Sequence, residues 1–370
     1  MDRLLRRIEQ SDQEGVWEEL AREEMAKEGR AWEIHLSLFP LVQRVENPPF
    51  INPHLPKMYG IIREFSPCLT VDDLPDLVRL EINEYTRRPK SALPAKPSRK
   101  PRSVSFAEIE TAIGEGERES GAALMQAFME QQGKEELARR MLLLGSGYLD
   151  RSLGHSISCT AFILLEMIER SDQDPWPVLG TLAEYFCRGK YRTTPEIRTT
   201  TEIIPEAELD RHLLRATSGN GIINLHHTIT RYAIERVRHL LSEMEYAHLI
   251  ASWIDFLGSK EEAPPLYTAG DATAGYADFY ECFSKREEQP LLSVLSGLIP
   301  SPDARARLGR YLIKGVCDQY QGNYNPHFLT GLGSALWVVE CFPDRPAIAM
   351  NALRQYLNYF FTEMASVTGG

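Results

Sequence analysis

Apolar positions recur three and four apart along most of this chain, the spacing of helices that bury one face. The pattern predicts helices over 54–65, 73–87, 105–148, 155–170, 176–188, 205–217, 226–242, 244–258, 287–298, 302–320, 327–341 and 345–366. Charged amphipathic runs at 3–28 and 31–45 precede them, the second interrupted by Pro40. Thr70 and Asp72 stand where a cap for the 73–87 helix is needed. Alternation with a period of two is scarce, so no sheet is required and the fold class reads as all-α.

Three stretches break the pattern. Residues 87–104 hold four prolines, seven Lys/Arg and no acid, the composition of an extended, solvated loop or linker. Residues 190–204 are rich in Thr and β-branched residues and read as a long loop. Residues 259–286, with Pro264, Pro265, Gly270 and Gly275, read as irregular. The breaks divide the chain into a helical N-terminal extension (1–48), a first helix pair (49–86), the basic linker (87–104) and a main helical region (105–370) that packs with 49–86 as one unit.

Histidines give this pattern its chemistry. His54, His155, His227 and His327 each open an apolar run that a second amphipathic segment follows, so four helix pairs of similar design are expected. Stacked, they would bury their apolar faces against one another in a single array. The separations 155 − 54 = 101 and 327 − 227 = 100 suggest two related halves. Three runs carry a hydroxyl three residues on: His155 with Ser158, His227 with Thr230 and His327 with Thr330. On a helix those positions share a face, so Ser158, Thr230 and Thr330 are expected to set the tautomer and orientation of the imidazoles.

Asn52-Pro53-His54 and Asn325-Pro326-His327 share a tripeptide in which Asn can cap and Pro suits the first turn. In the third run the frames conflict. Asn224 stands two before His226, whereas the hydroxyl frame selects His227, and His227 is favoured because its Thr partner matches two other runs. The field at a helix start favours neutral imidazole, the form that binds metal or acts as a base at neutral pH.

Composition narrows the possibilities. The 370 residues carry a net charge of −11, with 43% hydrophobic and 25% charged positions. The acidic balance argues against nucleic acid or an anionic membrane as main partner. Six dispersed cysteines without a C-x-x-C pair read as reduced residues of a cytoplasmic protein. No apolar run has the length of a signal peptide or membrane span. There is no H-E-x-x-H, G-x-G-x-x-G, P-loop or G-x-S-x-G motif. Glu245-x-x-His248 lacks the second copy that a di-iron site needs. Gly219, Gly221, Gly331 and Gly333 read as loop or packing glycines, and Tyr59, Phe162, Tyr232, Phe328 and Trp337 as core, with some lining a histidine cavity.

The runs His227-Thr-Ile-Thr-Arg-Tyr-Ala-Ile-Glu-Arg, Asn-Pro-His327-Phe-Leu-Thr-Gly-Leu-Gly-Ser-Ala-Leu and Gly-His155-Ser-Ile-Ser resemble the helix-opening histidine motifs of the questin oxidase-like family. The order also fits, with an early histidine helix near 54 and a late Ala-rich helix at 347–357. The resemblance covers about 50–360. It implies oxidative, Baeyer–Villiger-type ring opening of polyketide-derived aromatics with NADPH as reductant, although this chain has no Rossmann fingerprint to bind NADPH. The combined expectation is a monooxygenase-like oxidoreductase acting on a hydrophobic small molecule in a cavity lined by His54, His155, His227 and His327. These histidines hold Fe, Cu or Zn, or else polarise the substrate and shuttle protons. A non-redox lyase, cyclase or hydrolase and a non-catalytic helical binding module remain open alternatives.

Overall fold

A computed structural model describes residues 1–27, 29–70, 72–96, 103–198, 204–259, 270, 273–322 and 325–368. Among these residues the protein is all-α, with twenty α-helices, two short 3₁₀ turns and no strand. The part of the basic linker at 97–102, residues 199–203 of the Thr-rich segment, and 260–269 with 271–272 of the irregular stretch lie outside the described residues.

Four helices form the centre: α1 (His54–Glu64), α2 (His155–Glu169), α3 (Ile222–Arg236) and α4 (His327–Cys341). Each packs on the next, α1 on α2, α2 on α3, α3 on α4 and α4 on α1, which closes a ring. The four run parallel. Near their starts the histidine rings meet. Two turns further on, Phe162 of α2 packs on Tyr232 of α3, and a Cβ on Gly333 of α4 would press on Ile61 of α1.

Sequence explains why these helices lie innermost. Residues 54–62 of α1 and 155–167 of α2 are buried without interruption, so both helices are covered on every side, as helices without a wide polar face must be. The remaining helices are amphipathic and wrap the ring. His35 is an exception to the apolar core: its Nδ1 lies 2.8 Å from Glu81 Oε2 and its ring stacks on Tyr59 of α1. That contact joins the helix Arg30–Ser37, the helix Leu74–Arg87 and α1, so the N-terminal extension belongs to the common core.

Boundaries shift where local chemistry differs from the apolar period. Asp73, not Thr70 or Asp72, is the cap of Leu74–Arg87, and Thr70 donates its amide and hydroxyl to the Asp73 carboxylate. Within the irregular stretch, Tyr276–Lys285 is helical, its start closed by Asp278 Oδ2 accepting from the Gly275 amide. Most consequential, α3 begins at Ile222, one turn before the expected start, because Gly221 at φ +86° ends the preceding loop there.

A candidate four-histidine metal centre

Four imidazoles meet where the ring helices begin. His54 Nε2 lies 2.8 Å from His155 Nε2, His155 Nε2 lies 3.1 Å from His226 Nε2, and His226 Nε2 lies 3.0 Å from His327 Nε2. The order His54, His155, His226, His327 is the order of α1 to α4 around the ring. All four are nearly enclosed, His327 being the most accessible at 8%.

The third member is therefore His226 and not the expected His227. Consecutive helical residues point about 100° apart, so only one of the pair can face the ring axis. His227 turns outward, its ring edge-on to Phe256 at 4.6 Å, while its carbonyl accepts from Trp253 Nε1. The hydroxyl frame misled because His226 is the fifth residue of α3 rather than its first.

The expected roles of Ser158, Thr230 and Thr330 are not realised. Thr230 Oγ1 donates to the His226 carbonyl at 2.7 Å, the ordinary back-bond of a helical threonine. Ser158 Oγ and Thr330 Oγ1 are buried and reach no hydrogen-bond partner. The short hydroxyl side chains do not span the turn to the imidazoles, which are already engaged on their other side. The groups that orient the rings accordingly lie upstream. His155 Nδ1 donates to the Ser152 carbonyl at 2.7 Å, and His327 Nδ1 donates to Asn325 Oδ1 at 2.8 Å. Asn325 is itself held by donating its amide to Tyr359 Oη at 2.7 Å. Both acceptors require a proton on Nδ1, which leaves the Nε2 lone pairs of His155 and His327 facing the centre.

His54 is held differently. Arg88 donates to Asn47 Oδ1, which turns the Asn47 amide nitrogen toward His54 Nδ1 at 3.3 Å. In this state the His54 Nε2 proton points at His155. The two Asn-Pro-His tripeptides thus differ in use: Asn325 accepts from the His327 backbone amide and ring, while Asn52 contributes only its carbonyl, to the His54 amide. Upstream of His155 the chain turns sharply, Leu153 and Gly154 both being left-handed at φ +50° and +74°. A side chain at Gly154 would overlap Thr230 Oγ1, so glycine is required there on two counts.

Burial drives all four imidazoles well toward the neutral form, with further lowering from positive charge on neighbouring histidines and on Lys57. His226 falls to about 3. Burial leads, rather than the helix-start field that the sequence pointed to.

The cluster forms the floor of a cavity of about 420 Å³, within the range of small-molecule sites. Phe50, Leu153 and Ile222 supply apolar wall; Asn47, Arg88 and Glu363 supply polar groups. Phe50 and Leu153 are exposed apolar side chains at this opening. None of Tyr59, Phe162, Tyr232, Phe328 and Trp337 lines this cavity. Its aromatic members are Phe50 and Tyr359, which helical spacing in the four runs did not reveal.

Other sequence candidates have structural roles. Glu245 closes the capping box of Glu243–Leu257 and pairs with Arg139, and His248 meets Ser146 Oγ at 3.1 Å. Arg88, at the start of the basic linker, does reach the site through Asn47. The six cysteines are all unpaired thiols, and no described helix is long and apolar enough to cross a membrane.

Comparison of the chain with family models, with curated proteins and with solved structures returned no match.

Proposed function

We propose that the four imidazoles hold one redox-active transition metal ion and that the protein is a monooxygenase-like oxidoreductase acting on a hydrophobic, aromatic small molecule in the cavity above them. The spacing of the Nε2 atoms carries the metal reading. With metal–nitrogen bonds of about 2.1 Å, ligands at right angles lie about 3.0 Å apart, whereas tetrahedral ligands lie about 3.4 Å apart. The adjacent contacts of 2.8, 3.1 and 3.0 Å lie near the right-angled case, and the ligand nitrogens of His54, His155 and His327 all lie within 4.8 Å of one another. A set of imidazole nitrogens with coordination positions left open favours iron or copper over structural zinc.

Neutral rings, with Nδ1 of His155 and His327 donating to oxygen, are the ligand-ready form. On metal binding His54 would carry its proton on Nδ1 instead of Nε2, a change of tautomer without net proton release. The exposed apolar rim at Phe50 and Leu153 supports a flat hydrophobic substrate, and Arg88 and Asn47 offer polar contacts for its oxygens. The questin oxidase-like resemblance points to the same class of reaction and names NADPH as reductant.

Element analysis of the purified protein, with X-ray absorption at the metal edge, tests the reading. One iron or copper per chain with four nitrogens at about 2.1 Å, lost in His155→Ala and His226→Ala, is expected. Protein that binds neither metal when loaded, or a tetrahedral zinc site, overturns it.

A further inference from the structure

One turn into the ring lies a second polar layer that the histidines do not use. Three residues after its cluster histidine, α1 carries Lys57, α2 carries Ser158 and α4 carries Thr330. All three side chains are fully buried. Lys57 Nζ, Ser158 Oγ and Thr330 Oγ1 reach no hydrogen-bond partner. Because α1 packs against both α2 and α4, Lys57 stands between Ser158 and Thr330 in the order of the ring, each one turn, about 4.5 Å, along from its cluster histidine. Lysine side chains on helices lean toward the N-terminus, so Nζ projects back toward the imidazoles.

A buried amine without a partner is costly, and such groups persist when something absent from the protein alone completes them. No protein carboxylate does so here. Among the described residues, the buried acids are all engaged elsewhere. Glu81 binds His35, Glu84 binds Arg88, Glu166 binds Arg63 and Arg170, and Asp73 binds Arg310. Glu245 binds Arg139, and Glu19 binds Arg22. The unpartnered groups are one amine and two hydroxyls, all able to donate. Their complement is a compact acceptor carrying negative charge.

We propose that Lys57, Ser158 and Thr330 form a small-anion site directly beneath the histidine cluster, in which an inorganic anion between hydroxide and azide in size sits between the amine and the metal position. The proposal rests on the metal reading above. It makes Lys57 a positioning residue that selects an anionic ligand on the inner side of the cluster, while the organic substrate occupies the outer cavity. It also gives the His-x-x-Lys of α1 and the His-x-x-Ser/Thr of α2 and α4 a shared purpose that hydrogen bonding to the imidazoles does not.

Cobalt(II)-loaded protein titrated with sodium azide, followed by visible absorption, tests this. Lys57→Met and Lys57→Gln, and the double variant Ser158→Ala/Thr330→Val, are compared with the unaltered chain at equal cobalt content. The site predicts azide binding weakened about tenfold or more in both Lys57 variants, the effect of losing one charge-assisted hydrogen bond, and a smaller loss in the double variant. Azide affinity unchanged in a folded Lys57 variant that binds one cobalt per chain overturns the anion site and leaves the metal reading standing. Unaltered protein that takes up no cobalt overturns the metal reading, and this inference with it.

Discussion

His226 and His227 are adjacent, buried and alike in local sequence, yet only His226 joins the cluster. The contrast makes a sharp test. His226→Ala is expected to abolish stoichiometric metal binding. His227→Ala should keep it and lose only about 1–3 kcal/mol of stability from the cavity left against Phe256. Element analysis and denaturant melts on the two variants separate the roles, and equal metal loss in both would contradict the geometry. The same burial gives the metal-free protein a defined acid sensitivity. Unfolded histidines take up protons below the reference value of 6.5, whereas folded His226 resists protonation until about 3 and the other three are also held neutral. The unfolded state therefore binds more protons in that window. The stabilisation is complete above pH 6.5 and is lost as pH falls toward 3, by up to about 1.4 kcal/mol per pH unit for each histidine. Urea midpoints measured between pH 7.5 and 4.5 should fall steadily below 6.5, and a flat profile would contradict the buried neutral cluster.

Each ring helix delivers its imidazole through the way its first turn is built, and that is where single changes should act most strongly on the site. In α2 the delivery depends on Gly154, whose left-handed backbone and contact with Thr230 leave no room for a side chain. Gly154→Ala should cost about 2–4 kcal/mol and shift His155, lowering metal affinity as well as the thermal midpoint. In α4 the delivery depends on Asn325, which accepts from both the backbone amide and the ring of His327. Asn325→Ala should weaken metal binding about 10–100-fold, as loss of an orienting partner commonly does. Asn325→Asp, which keeps the acceptor, should retain much of the affinity. Competition titrations against a chelator read both effects, and equal affinity in Asn325→Ala and the unaltered protein would rule out an orienting role.

At the scale of the whole molecule, the four imidazoles come from positions 54 to 327, so a metal held by them ties together helices spread over most of the chain. Binding only to the folded state stabilises it by mass action, about 4 kcal/mol at a thousandfold excess over Kd. Calorimetry should show one cooperative transition that shifts upward on metal loading and returns on chelation, and a midpoint indifferent to metal would contradict a shared site. Much of this architecture was readable beforehand. Apolar periodicity marked most of the helical stretches, although 105–148 is three helices, Phe106–Glu115, Arg118–Gln132 and Lys134–Ser146, and the four histidine-led runs gave three of the four cluster members together with the all-α class, because helix formation and the burial of an apolar face depend on neighbours in sequence. Tertiary structure decided the rest. Which of His226 and His227 faces inward depends on where Gly221 lets α3 begin, and whether Ser158 and Thr330 reach an imidazole depends on the partners the rings find upstream. The closing of four runs into one ring is set by packing among helices about a hundred residues apart, as is the burial of Lys57 beneath it. Sequence spacing alone contains none of those distances.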